Sequence, residues 1–229
     1  LFSFAVGGQT MAENFLETSY SNSYLLITFY ISGDFSMSSK TETKRSYIIA
    51  FCGISIAMNI ILGIITSALG IPLYLDTLGT VLTAAIIGPV PGMLVGALSN
   101  IITGLIFSPT DIPFFIVNLA VGLIVGLVCK KWKLNLVSAI VLGLALAVIC
   151  PAIGTPIGIY VYGGLNGSAS DVLVMSLVQG GKSLFTASFI RNIISNLIDK
   201  IGTMVIGWAL IKAMPNRFLE NIQRTKGVK

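Results

Sequence analysis

The stretch Thr77–Phe107, TLGTVLTAAIIGPVPGMLVGALSNIITGLIF, decides how this chain folds. None of its 31 residues is charged, and ~20 apolar residues already span the ~30 Å hydrocarbon core of a bilayer. The run is too long for one helix without strong tilt, and Gly88-Pro89-Val90-Pro91-Gly92 interrupts it. Two prolines so close together remove backbone donors and force a turn. The stretch therefore divides into two short membrane helices, near 77–88 and 91–107.

The flanks extend this pattern in both directions. Upstream, a span from Ser46 to about Leu69 follows Lys44-Arg45 and ends in a short turn, Gly70 to Asp76, expected to carry one carboxylate to the outer surface. Downstream, Ser108-Pro109-Thr110-Asp111-Ile112-Pro113 forms a break, and a fourth helix runs to Cys129. Lys130-Lys131-Trp132-Lys133 marks a cytoplasmic turn, and a fifth helix runs from about Leu134 to Cys150. The Pro- and Gly-rich segment from Cys150 to Gly158 predicts a broken or partly re-entrant end, tolerated only where protein covers the backbone. The last segment reaches Ala213, its membrane part beginning around Leu184.

Charge placement orients these spans. Eleven of the fourteen Lys and Arg fall in three clusters: Lys40, Lys44, Arg45; Lys130, Lys131, Lys133; and Lys212, Arg217, Arg224, Lys226, Lys229. The positive-inside bias puts all three in the cytoplasm. The predicted fold is an all-α membrane protein, a compact bundle of six transmembrane helices with both termini cytoplasmic. Asp76, Asp111 and Asp171 then mark the outer loops.

The composition supports this reading and excludes others. Charged residues are 10% of the chain, against ~25% in soluble proteins, and 55% are hydrophobic. The net charge of +5 does not indicate nucleic acid, because the positives flank apolar runs. Histidine is absent, which removes histidine triads and histidine metal sites. Cys52, Cys129 and Cys150 lie within or at the end of apolar spans without CxxC spacing, and read as packing residues. No metal, no cofactor and no enzymatic activity are expected. Residues 1–36 contain no Lys or Arg, and their longest largely apolar run, Tyr24 to Ile31, is too short to span. They read as an upstream extension before Met37, leaving 37–229 as the membrane domain.

Polar residues inside the spans carry the functional signal. Asn192, Asn196, Asp199 and Thr203 share one face of the last helix. Asp199 lies roughly 21 Å from the cytoplasmic boundary at 1.5 Å per residue, where an ionised group is costly and tends to be functional or paired. It reads either as a wall of a ligand cavity or as a helix-holding ion pair with Lys182, Arg191 or Lys200. Asn118 and Asn100 are candidates for the same interior. Asp76, beside Tyr74, reads as a helix cap, a ligand-contacting loop residue, or both. Gly180-Gly181-Lys182-Ser183 resembles the end of a phosphate-binding loop, but Ser176 stands where the leading glycine is required. Small residues recur at four-residue spacing, as in Gly92/Gly96, Gly122/Gly126 and Gly143/Ala147, which lets helices approach closely. On the first helix Ala50, Gly53 and Ala57 form a similar patch suited to a partner subunit.

Several of these stretches together resemble one family. Leu73-Tyr74-Leu75-Asp76-Thr77-Leu78-Gly79-Thr80, Gly88-Pro89 with Gly92, Gly163-Gly164 through Gly167 and Asp171, Asn196-Leu197-Ile198-Asp199-Lys200 and Met214-Pro215-Asn216-Arg217 resemble the substrate-binding S components of energy-coupling factor (ECF) vitamin transporters. The nearest likeness is to members handling hydroxymethylpyrimidine or pyridoxine. The resemblance implies capture of one small vitamin-like molecule near the outer face. It also implies partnership with a membrane scaffold subunit and two ABC-type ATPases in the prokaryotic plasma membrane. On this reading Asn118, Asn192, Asn196 and Asp199 line the cavity, Tyr74, Asp76 and Tyr160 roof it, and Ala50, Gly53 and Ala57 meet the scaffold. The alternative is an autonomous proton-coupled secondary transporter using Asp199 or Asp76. Such carriers often show internal repeats, and none is visible here.

Overall fold

The computed structural model describes residues 39–69, 74–165, 167 and 170–222. The chain divides at Arg45–Ser46 into two compact units. The expectation about residues 1–36 lies outside the described residues. The helices are α1 (Ser39–Ala68), α2 (Leu78–Ile86), α3 (Pro89–Ile106), α4 (Phe115–Lys131), α5 (Leu136–Tyr162), α6 (Asp171–Gln179), α7 (Leu184–Ala213) and α8 (Asn216–Ile222), with a 3-10 segment at Pro109–Phe114. Among the described residues there is no strand.

Local chemistry sets the helix ends. Gly88, at φ 133°, makes the turn between α2 and α3 that a side chain would resist, and Pro89 then opens α3 with its φ already helical. Asn135 and Ser138 form a reciprocal capping box before α5, each side chain accepting the other's backbone N–H at 2.8 Å. Gly163 ends α5 in the left-handed conformation. Gly180-Gly181 is the turn between α6 and α7, and Ser183 caps α7 by accepting from the Thr186 N–H.

Among the described residues, five stretches are long and apolar enough to cross a membrane: Arg45–Ala68, Pro89–Ile106, Pro109–Lys131, Leu136–Tyr162 and Leu184–Ala213. The expected sixth, near 77–88, is the nine-residue α2, too short to cross at 1.5 Å per residue. All nine of its residues are buried. α2 is the core around which the longer helices pack, with Val81, Leu82, Ala84, Ala85 and Ile86 in the central apolar cluster.

The expected break after Cys150 is absent: α5 continues through Pro151 and Pro156 to Tyr162. Each proline removes one N–H, but the remaining ladder is kept because an apolar surrounding offers its backbone no other partner. Lateral packing adds to this, since α5 lies against α7 along much of its length.

The small-residue pairs make the close crossings. A Cβ on Gly143 of α5 would sit 2.8 Å from Ile201 Cα on α7, and one on Gly122 of α4 would overlap the backbone at Gly92–Met93 of α3. Without a hydrophobic drive between helices in lipid, such backbone approach supplies the packing energy.

Candidate functional site

Residues 74–77, just before α2, pack against α1 and α7. Gly63 lies more than a turn before the end of α1, and a Cβ there would be 3.5 Å from Asp76 Cβ. The chain at Tyr74–Thr77 is therefore re-entrant beside α1, with the Asp76 side chain still 37% exposed, and residues 70–73 of the turn expected at Gly70–Asp76 lie outside the described residues. Irregular backbone at that depth needs partners from the protein. Thr66 Oγ1 donates to the Tyr74 carbonyl at 2.9 Å. Asp199 Oδ1 accepts the N–H groups of Tyr74 at 2.8 Å and Leu75 at 2.9 Å. The Gly79 N–H donates to Asn59 Oδ1 at 2.6 Å, and the Asn59 amide donates to Thr80 and Ser99.

A charge cluster sits directly under this segment. Lys200 Nζ lies 2.7 Å from Asp199 Oδ2 and 4.0 Å from Asp76 Oδ1, and donates to Thr77 Oγ1 at 3.1 Å. Asp199 is fully buried and Lys200 nearly so, whereas the Asp76 side chain is 37% exposed. Asn118 donates to Asp76 Oδ2 at 3.5 Å and also to Asn100. Desolvation pushes the Asp76 carboxyl above the usual range and Asp199 adds to that, while the Lys200 ammonium and the Asn118 amide oppose it. The Tyr74 phenol is likewise raised, by desolvation first, with Arg191 countering.

About two turns earlier on α7 lies a second polar group. The Arg191 guanidinium meets Asp171 at 2.5 Å and the Gly164 carbonyl at 3.4 Å, and contacts the Asn192 side-chain oxygen at 3.2 Å. Asn192 donates to Thr155 Oγ1 at 2.9 Å, and Asn196 donates to the Asn192 carbonyl. This group ties the segment following α5 to α7.

The structure thus brings Tyr74, Asp76, Asn118 and Asp199 into one network and holds Asn192 and Asn196 in a neighbouring one. Tyr160 is 92% exposed and joins neither set of hydrogen bonds. Its neighbour Tyr162 instead donates to Asp111 and stacks on Phe114. Of the two readings of Asp199, the Lys200 ion pair is the one its geometry displays, since Oδ2 faces the ammonium and Oδ1 holds two amides. Sequence reasoning missed Asn59 and Thr66. Their signal is the spacing Ser55, Asn59, Thr66 on one face of an otherwise apolar span. Ala50, Gly53 and Ala57 lie exposed on α1, and a Cβ on Gly53 would meet nothing within 4 Å.

A family model described as ECF-type riboflavin transporter, S component, matches residues 44–216. The chain belongs to this family. No curated protein and no solved structure gives a significant match. As an ECF S component it is a multi-pass membrane protein, the substrate-binding subunit of a transporter and not a member of an enzyme class. It works with ECF scaffold and ATPase modules and a small-molecule ligand. The match does not extend to the narrower likeness to hydroxymethylpyrimidine or pyridoxine members. Among the described residues the S component's buried polar side chains lie at Thr77 and on α1, α2, α3, α4, α5 and α7, while many large apolar side chains are exposed at its periphery.

Proposed function

We propose that this S component captures a flavin, riboflavin itself or a close relative, for ATP-driven uptake by a scaffold and two ABC-type ATPases. The observation that carries the reading is the partly open cluster of Asp76, Asn118 and Asn100 beside the buried Lys200. A flavin presents one ring N–H between two carbonyls. Amides offer both a donor and an acceptor, Asp76 accepts, and Lys200 donates, which together match that edge. Tyr74, 44% exposed, supplies an aromatic face for the ring. Asn192 and Asn196 suit the hydroxyls of a polyol side chain. The family description, which names riboflavin, favours a flavin over the smaller pyrimidine and pyridine precursors. Both termini and all three basic clusters are placed on the cytoplasmic side by the positive-inside bias.

The test is flavin fluorescence titrated with the purified full chain in detergent, with hydroxymethylpyrimidine and pyridoxine as competitors. Saturable quenching that neither competitor displaces is expected. Displacement by either would move the ligand to that class, and no binding of any of the three would remove the vitamin assignment. Flavin uptake by this chain alone in liposomes under a pH gradient would overturn the subunit role.

A further inference from the structure

We propose that Asp199 is a positioning residue: it holds Leu75 in a left-handed backbone conformation and thereby aims Tyr74 and Asp76 at the ligand. Leu75 has φ 47°, and among the described residues it is the only non-glycine with positive φ. A leucine adopts that conformation at a cost, because its Cβ crowds the following carbonyl. What offsets the cost is visible beside it. The N–H groups of Tyr74 and Leu75 converge on one oxygen of Asp199, at 2.8 and 2.9 Å. Consecutive N–H groups around a left-handed residue form a concavity that suits an anion. Here the anion is a side chain of the same protein, delivered from α7 across the bundle.

The rest of the cluster fits this assignment. Asp199 is fully buried, and its second oxygen is engaged by Lys200 at 2.7 Å. It has no open edge to offer a ligand. Lys200 transmits the same geometry onward, to Thr77 at 3.1 Å and Asp76 at 4.0 Å. Asp76 and Tyr74, on either side of Leu75, are the members of the cluster with substantial open surface. A buried carboxylate thus fixes the direction of two accessible side chains without touching what they bind.

The ligand arm of the test rests on the flavin reading, and the backbone arm does not. Hydrogen exchange at the Tyr74 and Leu75 amides is measured in the ligand-free full chain, with the Gly79 amide, held by Asn59, as internal reference. Asp199→Ala is expected to speed exchange at Tyr74 and Leu75 by about tenfold or more relative to Gly79, and Asp199→Asn, which keeps an acceptor oxygen, by less. Riboflavin affinity is expected to fall about tenfold or more in Asp199→Ala, and to recover at least about threefold when Leu75→Gly is added, because glycine takes positive φ freely. A residue that only packed helices would show no such rescue. Should Asp199→Ala leave Lys200 unpaired and the protein unfolded, Asp199→Ala/Lys200→Met removes the orphaned charge, and only its exchange at Tyr74 and Leu75 is read, because Lys200 is itself assigned to the ligand. Unchanged exchange at Tyr74 and Leu75, or a double variant no better than the single one, overturns the proposal. If the wild-type chain binds no flavin, the flavin reading falls and the exchange arm alone decides the role of Asp199.

Discussion

Lys200 turns a scatter of polar side chains into a site. Its buried ammonium must be paired, and it finds Asp199, Thr77 and Asp76 on three separate segments. The helical stripe Asn192, Asn196, Asp199, Thr203 was visible in the sequence. Lys200 was not part of it, because the next residue along a helix points about 100° away. Both faces are buried here, since α7 packs against α5 on one side and α2 on another. That circumstance lies outside what the period of one helix contains. Asp76 carries a prediction at this scale. Its carboxyl is raised, so a ligand that donates to its ionised form loses affinity as pH falls through that raised value, above the ordinary carboxylate pKa of about 4. Flavin titrations across pH are expected to show this loss. Asp76→Asn is expected to bind about tenfold more weakly at neutral pH, with a flat acid limb. A loss that persists unchanged in the variant would assign the titration to another group.

Among the elements, α2 and α5 depart most from what their residues suggest in isolation. The proline pair at 89 and 91 did end one helix and begin the next, because glycine stands before it at φ 133° and permits the turn. Pro151 and Pro156 did not break α5, because the residues directly before them are Cys150 and Thr155, not a glycine at positive φ, and α7 supports the helix laterally. The re-entrant segment and the first turn of α2 have a similar cause: their backbone groups are met by Thr66, Asn59 and Asp199, which lie 8, 20 and about 125 residues away. No local window holds all three. The glycine crossings were legible as four-residue spacings, but which helix each one faces was not. Gly143→Leu is expected to destabilise the purified protein by about 1–3 kcal/mol, since the new side chain meets backbone at Ile201 that cannot move aside. A thermal unfolding scan checks this, and an unchanged midpoint would mean that α5 and α7 do not approach so closely.

At the scale of the whole molecule, the exposed surface of α1 separates internal packing from external contact. Phe51, Ser55 and Asn59 face the bundle, while Ala50, Gly53 and Ala57 are exposed beside Ile54 and Ile61. Gly53→Trp is expected to leave flavin affinity and thermal stability within experimental error, because nothing lies within 4 Å of the site. The same variant is expected to lose most co-purification with the ECF scaffold. Normal assembly with the variant would overturn the reading of this face as the scaffold-docking surface. The sequence by itself determined that the chain lives in a membrane, that it is built of apolar helices and which small residues can make crossings, while its count of six spans exceeded by one the five found among the described residues. Composition and period are enough for that, because a bilayer demands length, apolarity and internal hydrogen bonding from each span separately. Only the tertiary structure decided that a nine-residue helix forms the core, that the chain before it turns inward, and that Asp199 faces Lys200 and two backbone amides. Those outcomes depend on which distant groups meet when the spans pack, and the needs of a buried charge or an unpaired N–H are met from wherever in the chain a partner arrives.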